Sequence, residues 1–196
     1  MSTRGLFGFR KDGEDKVIYN HFDSYPEGLG ASMIEMLKRA DMDKLSAHFN
    51  NIICADDDSE PTDDIIAQCK KLGLVNTNVS EKSLKDWYCL TRELQDPEKF
   101  RQVLESGEKF PIICEIDFIK DSLFCEYAYI FDLNTLVLEV YKGFQHRPQE
   151  NNRYGTEPNR DGYFPCELVG EISAEAIKRV DVDYLVNYMK SVTENK

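Results

Sequence analysis

The sequence predicts an α+β protein: one mainly antiparallel sheet assembled from both ends of the chain and covered by helices. Two observations carry this. Apolar and polar residues alternate with period two near the start and again from Phe110 onward, among β-branched and aromatic residues, whereas the stretch between repeats with helical spacing. A chain of 196 residues with 41% hydrophobic content suits a single α+β domain over 1–196 with a buried core.

The first element is a hairpin, "RGLFGFR" and "KVIYNHF" around "KDGED". Asp12-Gly13 marks its turn, because a type I′ turn needs positive φ at both central positions. This register opposes Leu6 to Tyr19 and Arg4 to His21. After Pro26, a turn leads into a helix over roughly residues 29 to 40, with Leu29, Met33, Ile34, Met36, Leu37 and Ala40 on its apolar face. The stretch 41–51 is ambiguous. Residues 55–64, "ADDDSEPTDD", hold six acids and no base and read as a loop ending in a helix start capped by Thr62 or Ser59.

The following helix stops at Gly73. Another is expected from Ser80 or Ser83 through "LKDWYCLTREL", and a third from Asp96 as cap through Pro97 to Gly107. Then "FPIICEIDF", "FCEYAYIFD" and "TLVLEVYKGF" read as strands, the last two forming a hairpin through "DLNT". "CELVGEI" is a further strand, and Ser173 and Asp181 cap two closing helices. Between these strands lies a loop, residues 145–165, with three prolines and two glycines. Long loops inside compact domains are often functional.

Composition excludes several function classes. With 36 acidic against 24 basic residues the net charge is −12, a field that repels phosphate backbones, and no Lys/Arg cluster offsets it. Nucleic-acid binding is therefore not expected, whereas an acidic face around Asp56 to Asp64 suits a basic protein partner. The six cysteines, Cys54, Cys69, Cys89, Cys114, Cys125 and Cys166, have no zinc-ligand spacing and read as reduced, buried small hydrophobes. The start lacks the apolar core of a signal peptide and no stretch has the apolar length of a membrane span, so no membrane association and a cytoplasmic location are expected.

The polar segment "YNHFDSYPEGLG" (residues 19–30) carries the candidate site. On a strand, Tyr19, His21, Asp23 and Tyr25 share one face, and the hairpin register adds Arg4. Such a set suits an acid/base histidine oriented by Asp23, or an anionic or planar ligand held by Arg4 with tyrosine stacking; mutual satisfaction of His21 and Asp23 at a strand end is the structural alternative. Gly28 and Gly30 precede the helix, where freed backbone amides can take a phosphate or carboxylate, although glycine as a turn former is the better account of them. No cofactor is indicated, since neither G-x-G-x-x-G nor a P-loop occurs. "DDDSE" at residues 56–60 fails as a calcium loop, with Pro61 where glycine and Ala67 where glutamate would be required. His48 and His146 have no Cys/His partner nearby, so no metal site is expected. Trp87, Tyr88 and Phe100 read as helical core.

Two segments, "TRGLFGFRKDGEDKVIYNHFDSYPEGLG" and "EYAYIFDLNTLVLEVYKG", resemble an uncharacterised protein family of bacterial and phage genomes. The resemblance implies a small cytosolic accessory protein, of phage or prophage origin, that sequesters a host signalling nucleotide or blocks a defence protein. In outline, "MSTRGLFGF" is also similar to the opening hairpin of N-terminal nucleophile hydrolases, whose fold is αββα. There a Ser or Thr exposed at the chain start attacks with its own amino group as base, which would require loss of Met1 to free Ser2, or of both to free Thr3. Three functions thus follow as expectations: a non-catalytic binder of a small anionic, nucleotide-like ligand, an amidohydrolase, and an acidic protein-interaction module.

Overall fold

The computed structural model describes residues 3–159 and 161–194. In chain order its elements are strands β1 (Gly5–Lys11) and β2 (Glu14–Asn20), a wide helical turn at Pro26–Gly30, helices α1 (Ala31–Arg39) and α2 (Met42–His48), strand β3 (Ile52–Ala55), helices α3 (Asp63–Lys71), α4 (Trp87–Thr91) and α5 (Pro97–Glu105), strands β4 (Phe110–Ile113), β5 (Tyr127–Asp132), β6 (Val137–Lys142) and β7 (Glu167–Ser173), and helices α6 (Ala174–Arg179) and α7 (Val182–Glu194). The class is α+β. The chain divides into two compact units, Met1–Arg39 with Glu115–Lys196, and Ala40–Cys114.

The larger unit holds a five-stranded mixed sheet in the order β2-β1-β5-β6-β7. Three pairings are antiparallel, and the central one, β1 with β5, is parallel. A hairpin forces its strands antiparallel, but β5 returns after a long connection and is free of that reversal. The β1–β2 register sets Leu6 opposite Tyr19, as expected from the turn, in which Asp12 and Gly13 have φ of 50° and 85°. Asp12 also exchanges two hydrogen bonds with Asn134 of the β5–β6 turn, at 2.7 and 2.9 Å, so the two hairpin tips hold one another.

Alternation along the strands gives the sheet two apolar faces. One carries Leu6, Val17, Ala128, Ile130 and Tyr141, packed against Ile119, Cys125, Tyr154 and Cys166 from the connecting segments. The other carries Phe7, Phe9, Tyr129 and Phe131, none with any exposed surface, with Phe9 and Phe131 meeting edge to face. Helices α1, α6 and α7 contact one another, and α7 contacts β6 and β7. Burial of each large side chain here contributes about 1.5–3 kcal/mol.

The smaller unit has a two-stranded parallel sheet, β3 with β4, and four helices with side-chain caps. Asp41 caps α2, accepting the Lys44 amide at 3.1 Å, which resolves the ambiguous stretch as helix. Thr62, not Ser59, caps α3, and Asp96 caps α5. Gly73 and Gly107 end helices with φ of 64° and 77°. Helix α4 starts at Trp87 under Asp86, later than Ser80 or Ser83, because Ser80 and Lys82 take positive φ and cannot enter a right-handed helix. "FPIICEIDF" is strand only to Ile113; Ile116–Lys120 forms a tight 3₁₀ turn.

The cysteine expectation needs a correction. Cys54 and Cys114 form a disulfide across 60 residues of sequence. Cys54 pairs with Ile112 in the β3–β4 register, which places Cys114 two residues on and on the same face. Cys69, Cys89, Cys125 and Cys166 are free and buried. Among the described residues no helix is long and apolar enough to cross a membrane.

Candidate functional site

Strand β2 ends at Asn20, so period-two alternation carries Tyr19 onto the Leu6 face but does not extend to Asp23 or Tyr25. Beyond it the chain turns, with Asp23 at φ 54°. The Tyr19 hydroxyl lies 2.8 Å from His21 Nδ1. The Tyr19 ring meets Phe118 edge to face at 5.2 Å, and the His21 ring meets Phe22 in the same way at 4.3 Å. Arg4, one residue before β1, is held by its backbone: its amide donates to Glu126 Oε1 and its carbonyl accepts the Glu126 amide. Its guanidinium sits over Phe124, 5.0 Å from the ring centre. Burial raises the Tyr19 hydroxyl above its ordinary value, and the charge of Arg4 opposes that rise. Arg4, Tyr19 and His21 are thus neighbours in a row that continues through Phe22 at one end and Phe124 at the other.

Asp23 and Tyr25 are placed differently. Asp23 hydrogen-bonds Tyr25, and its charge is the main cause that raises the Tyr25 hydroxyl above its ordinary value. His21 is therefore partnered by Tyr19, not oriented by Asp23. The backbone donors expected at Gly28 and Gly30 are spent inside the turn: both amides donate to the Tyr25 carbonyl, at 3.0 and 3.4 Å, and the Leu29 amide to that of Asp23 at 2.8 Å. Gly28 is required by close approach, since a Cβ there would lie 2.0 Å from the Asp23 oxygen.

Sequence reasoning missed two features. Phe22 and Phe124 are 60% and 37% exposed, so with the exposed His21 they make the row accessible. The second is a charge network on the Leu6 face near the β1–β2 turn. Arg153, from the long loop, donates to both oxygens of Glu139 at 2.6 Å and to the Tyr154 hydroxyl at 2.7 Å, and lies 3.4 Å from Asp15. Arg10 donates to Asp15 at 2.6 Å, and Tyr141 to Glu139 at 3.1 Å. Burial raises the Asp15 carboxyl above its ordinary value despite both arginines. A cleft of about 410 Å³ borders this network, with Lys120 and Asp117 on its wall. Every charge there has an opposite neighbour, Lys120 with Asp117 at 2.6 Å included, so the network pins the long loop to the sheet. The loop composition was the only sequence signal for it.

The remaining candidates are structural. His48 Nδ1 lies 3.1 Å from the Leu104 carbonyl near the end of α5. The His146 ring meets that of Tyr163 at 4.7 Å, tilted by 44°. Among the described residues no group of three or more His, Cys, Asp or Glu is arranged to hold a metal ion. Of the hydrolase reading, Met1 and Ser2 lie outside the described residues, while the Thr3 carbonyl accepts the Ser24 amide at 3.1 Å. No family model, curated protein or solved structure matches the chain.

Proposed function

We propose that the chain is a non-catalytic binding protein whose ligand is small, planar and anionic, of the nucleotide class. The observation that supports this reading is the row Phe22, His21, Tyr19, Arg4 and Phe124. Two exposed aromatic rings flank one fixed cation and one imidazole, and such a row offers stacking faces for a base and donors for a phosphate or carboxylate. The Tyr19–His21 pair does set a hydroxyl at hydrogen-bond distance from an imidazole, but burial raises the Tyr19 hydroxyl above its ordinary value, which opposes the ionisation a nucleophile needs and favours the binding reading.

Isothermal titration with adenine and guanine nucleotides tests the reading. Binding should be abolished by Arg4→Ala and by His21→Ala and weakened by Phe124→Ala, with circular dichroism unchanged. Unaltered binding in both Arg4→Ala and His21→Ala, or no heat with any nucleotide, overturns it.

A further inference from the structure

The smaller unit contains a groove of about 470 Å³ that the ligand reading does not use. Ile53, Ile65, Trp87, Phe110 and Pro111 give it an apolar lining. Ile53 is 42% exposed and Ile65 half-buried, so these two form the open part of the lining, over the buried Trp87 and Phe110. The rim is of opposite character: Asp56, Glu60 and Asp64 border the groove and Lys109 is its one basic lining residue; Glu60 is paired with Lys85 at 2.8 Å, which leaves Asp56 and Asp64 to face a partner. These acids belong to the stretch 55–64, which has no base. The Trp87 indole donates to the Ser59 carbonyl at 2.6 Å, which ties the acidic loop to the groove wall. Thr62 caps α3 beside it, so the rim is held at both ends.

We propose that this groove docks a basic segment of a partner protein, with one aliphatic or aromatic side chain seated on Ile53 and Ile65 above Trp87, and flanking lysines or arginines facing Asp56 and Asp64. Charge complementarity selects this occupant. An acidic or neutral segment would bury the same apolar side chain but bring no cation to Asp56 and Asp64. A purely basic segment would meet the rim but leave the groove unfilled. The proposal stands on residues different from those of the ligand site, so each can fail without the other.

Trp87 is the only tryptophan of the chain and lines the groove, which gives a local readout. The full chain is titrated with three synthetic peptides, one alternating lysine and leucine, one alternating lysine and serine, and one alternating glutamate and leucine. Expected is a saturating shift of Trp87 emission with the lysine–leucine peptide, weakened by added salt, and at least about ten-fold weaker binding of the other two. Ile53→Asp should abolish the shift even though it adds an acid that would attract the peptide. Asp56→Lys, at an exposed position, should weaken it by about ten-fold and leave the thermal midpoint in place. Equal binding of the lysine–serine peptide, equal binding of the glutamate–leucine peptide, an unaffected Ile53→Asp chain, or no emission change at all would each overturn the proposal.

Discussion

Arg153 and Glu139 form a bidentate pair, two hydrogen bonds of 2.6 Å, and through it a residue of the long loop is fastened to the middle of strand β6. Tyr141 and Tyr154 complete the shell, so Glu139 is 7% exposed yet fully compensated. Removing one partner of such a pair leaves the other charge desolvated and alone. Arg153→Ala should therefore lower unfolding free energy by about 2–4 kcal/mol, less than for a fully buried pair because a quarter of the Arg153 side chain meets solvent. Denaturant titration checks this, and Arg153→Lys should recover only part, since an ammonium cannot span both oxygens.

Asp15 gives the larger unit an inverted pH response. Burial is the main cause that raises its carboxyl, so folding shifts it towards the neutral form relative to the unfolded chain. A folded-state value above the unfolded one contributes stability that is complete at acid pH, below the unfolded value, and is lost as pH rises through the folded value. The stability difference between the natural chain and Asp15→Asn should thus move against the natural chain as pH rises from the ordinary carboxylate range through the raised value. A difference that is flat, or that moves the other way, contradicts the assignment.

Asp86 has the usual sign. Burial alone would raise its carboxyl, but hydrogen bonds from Ser80 and from the Tyr88 and Glu81 amides outweigh it and hold the group below its ordinary value. Its cap on α4 should stabilise the chain above the ordinary carboxylate range and fail as pH falls through the lowered value. Asp86→Asn should remove that acid-side loss, read by thermal midpoints across the acid range.

Thiol counting tests the covalent arrangement. Cys69 is pushed up to about 11 by burial, and Cys89, Cys125 and Cys166 are buried as well. Labelling should be slow in the native chain, reach four thiols on unfolding without reductant, and reach six with reductant. Cys54→Ser should cost about 2–4 kcal/mol of stability, because the bridge restricts the unfolded chain over a long loop.

Gly28→Ala should be destabilising by about 1–3 kcal/mol, since the new Cβ would overlap the Asp23 carbonyl and force the turn open. Gly155→Ala tests backbone strain alone, because φ there is 110° but no atom lies within 4 Å of the added carbon. Differential scanning calorimetry of both variants separates crowding from strain.

The hairpin at Asp12-Gly13, the α3 and α5 boundaries, and the β5–β6 hairpin were legible in the sequence. In each, a turn residue or cap acts on neighbours a few positions away, and nothing distant can override it. The start of α4 and the early end of β4 were not legible, because local propensity there yields to backbone conformations set by the surrounding packing. At the candidate site the same division holds. The Leu6–Tyr19 register is local and placed Tyr19 correctly, while extrapolating alternation past Asn20 put Asp23 and Tyr25 on a face they do not share.

By itself, then, the sequence determined the α+β class, the hairpins, most helix caps, the acidic stretch 55–64 and the polar segment after β2. Tertiary structure alone decided that β1 lies parallel to β5, that Cys54 meets Cys114, that Arg153 reaches Glu139 and that Arg4 rests on Phe124. The reason is range: capping and turn chemistry act within a few residues, whereas these pairings join positions 14 to about 120 residues apart and form only where burial brings the two chains together.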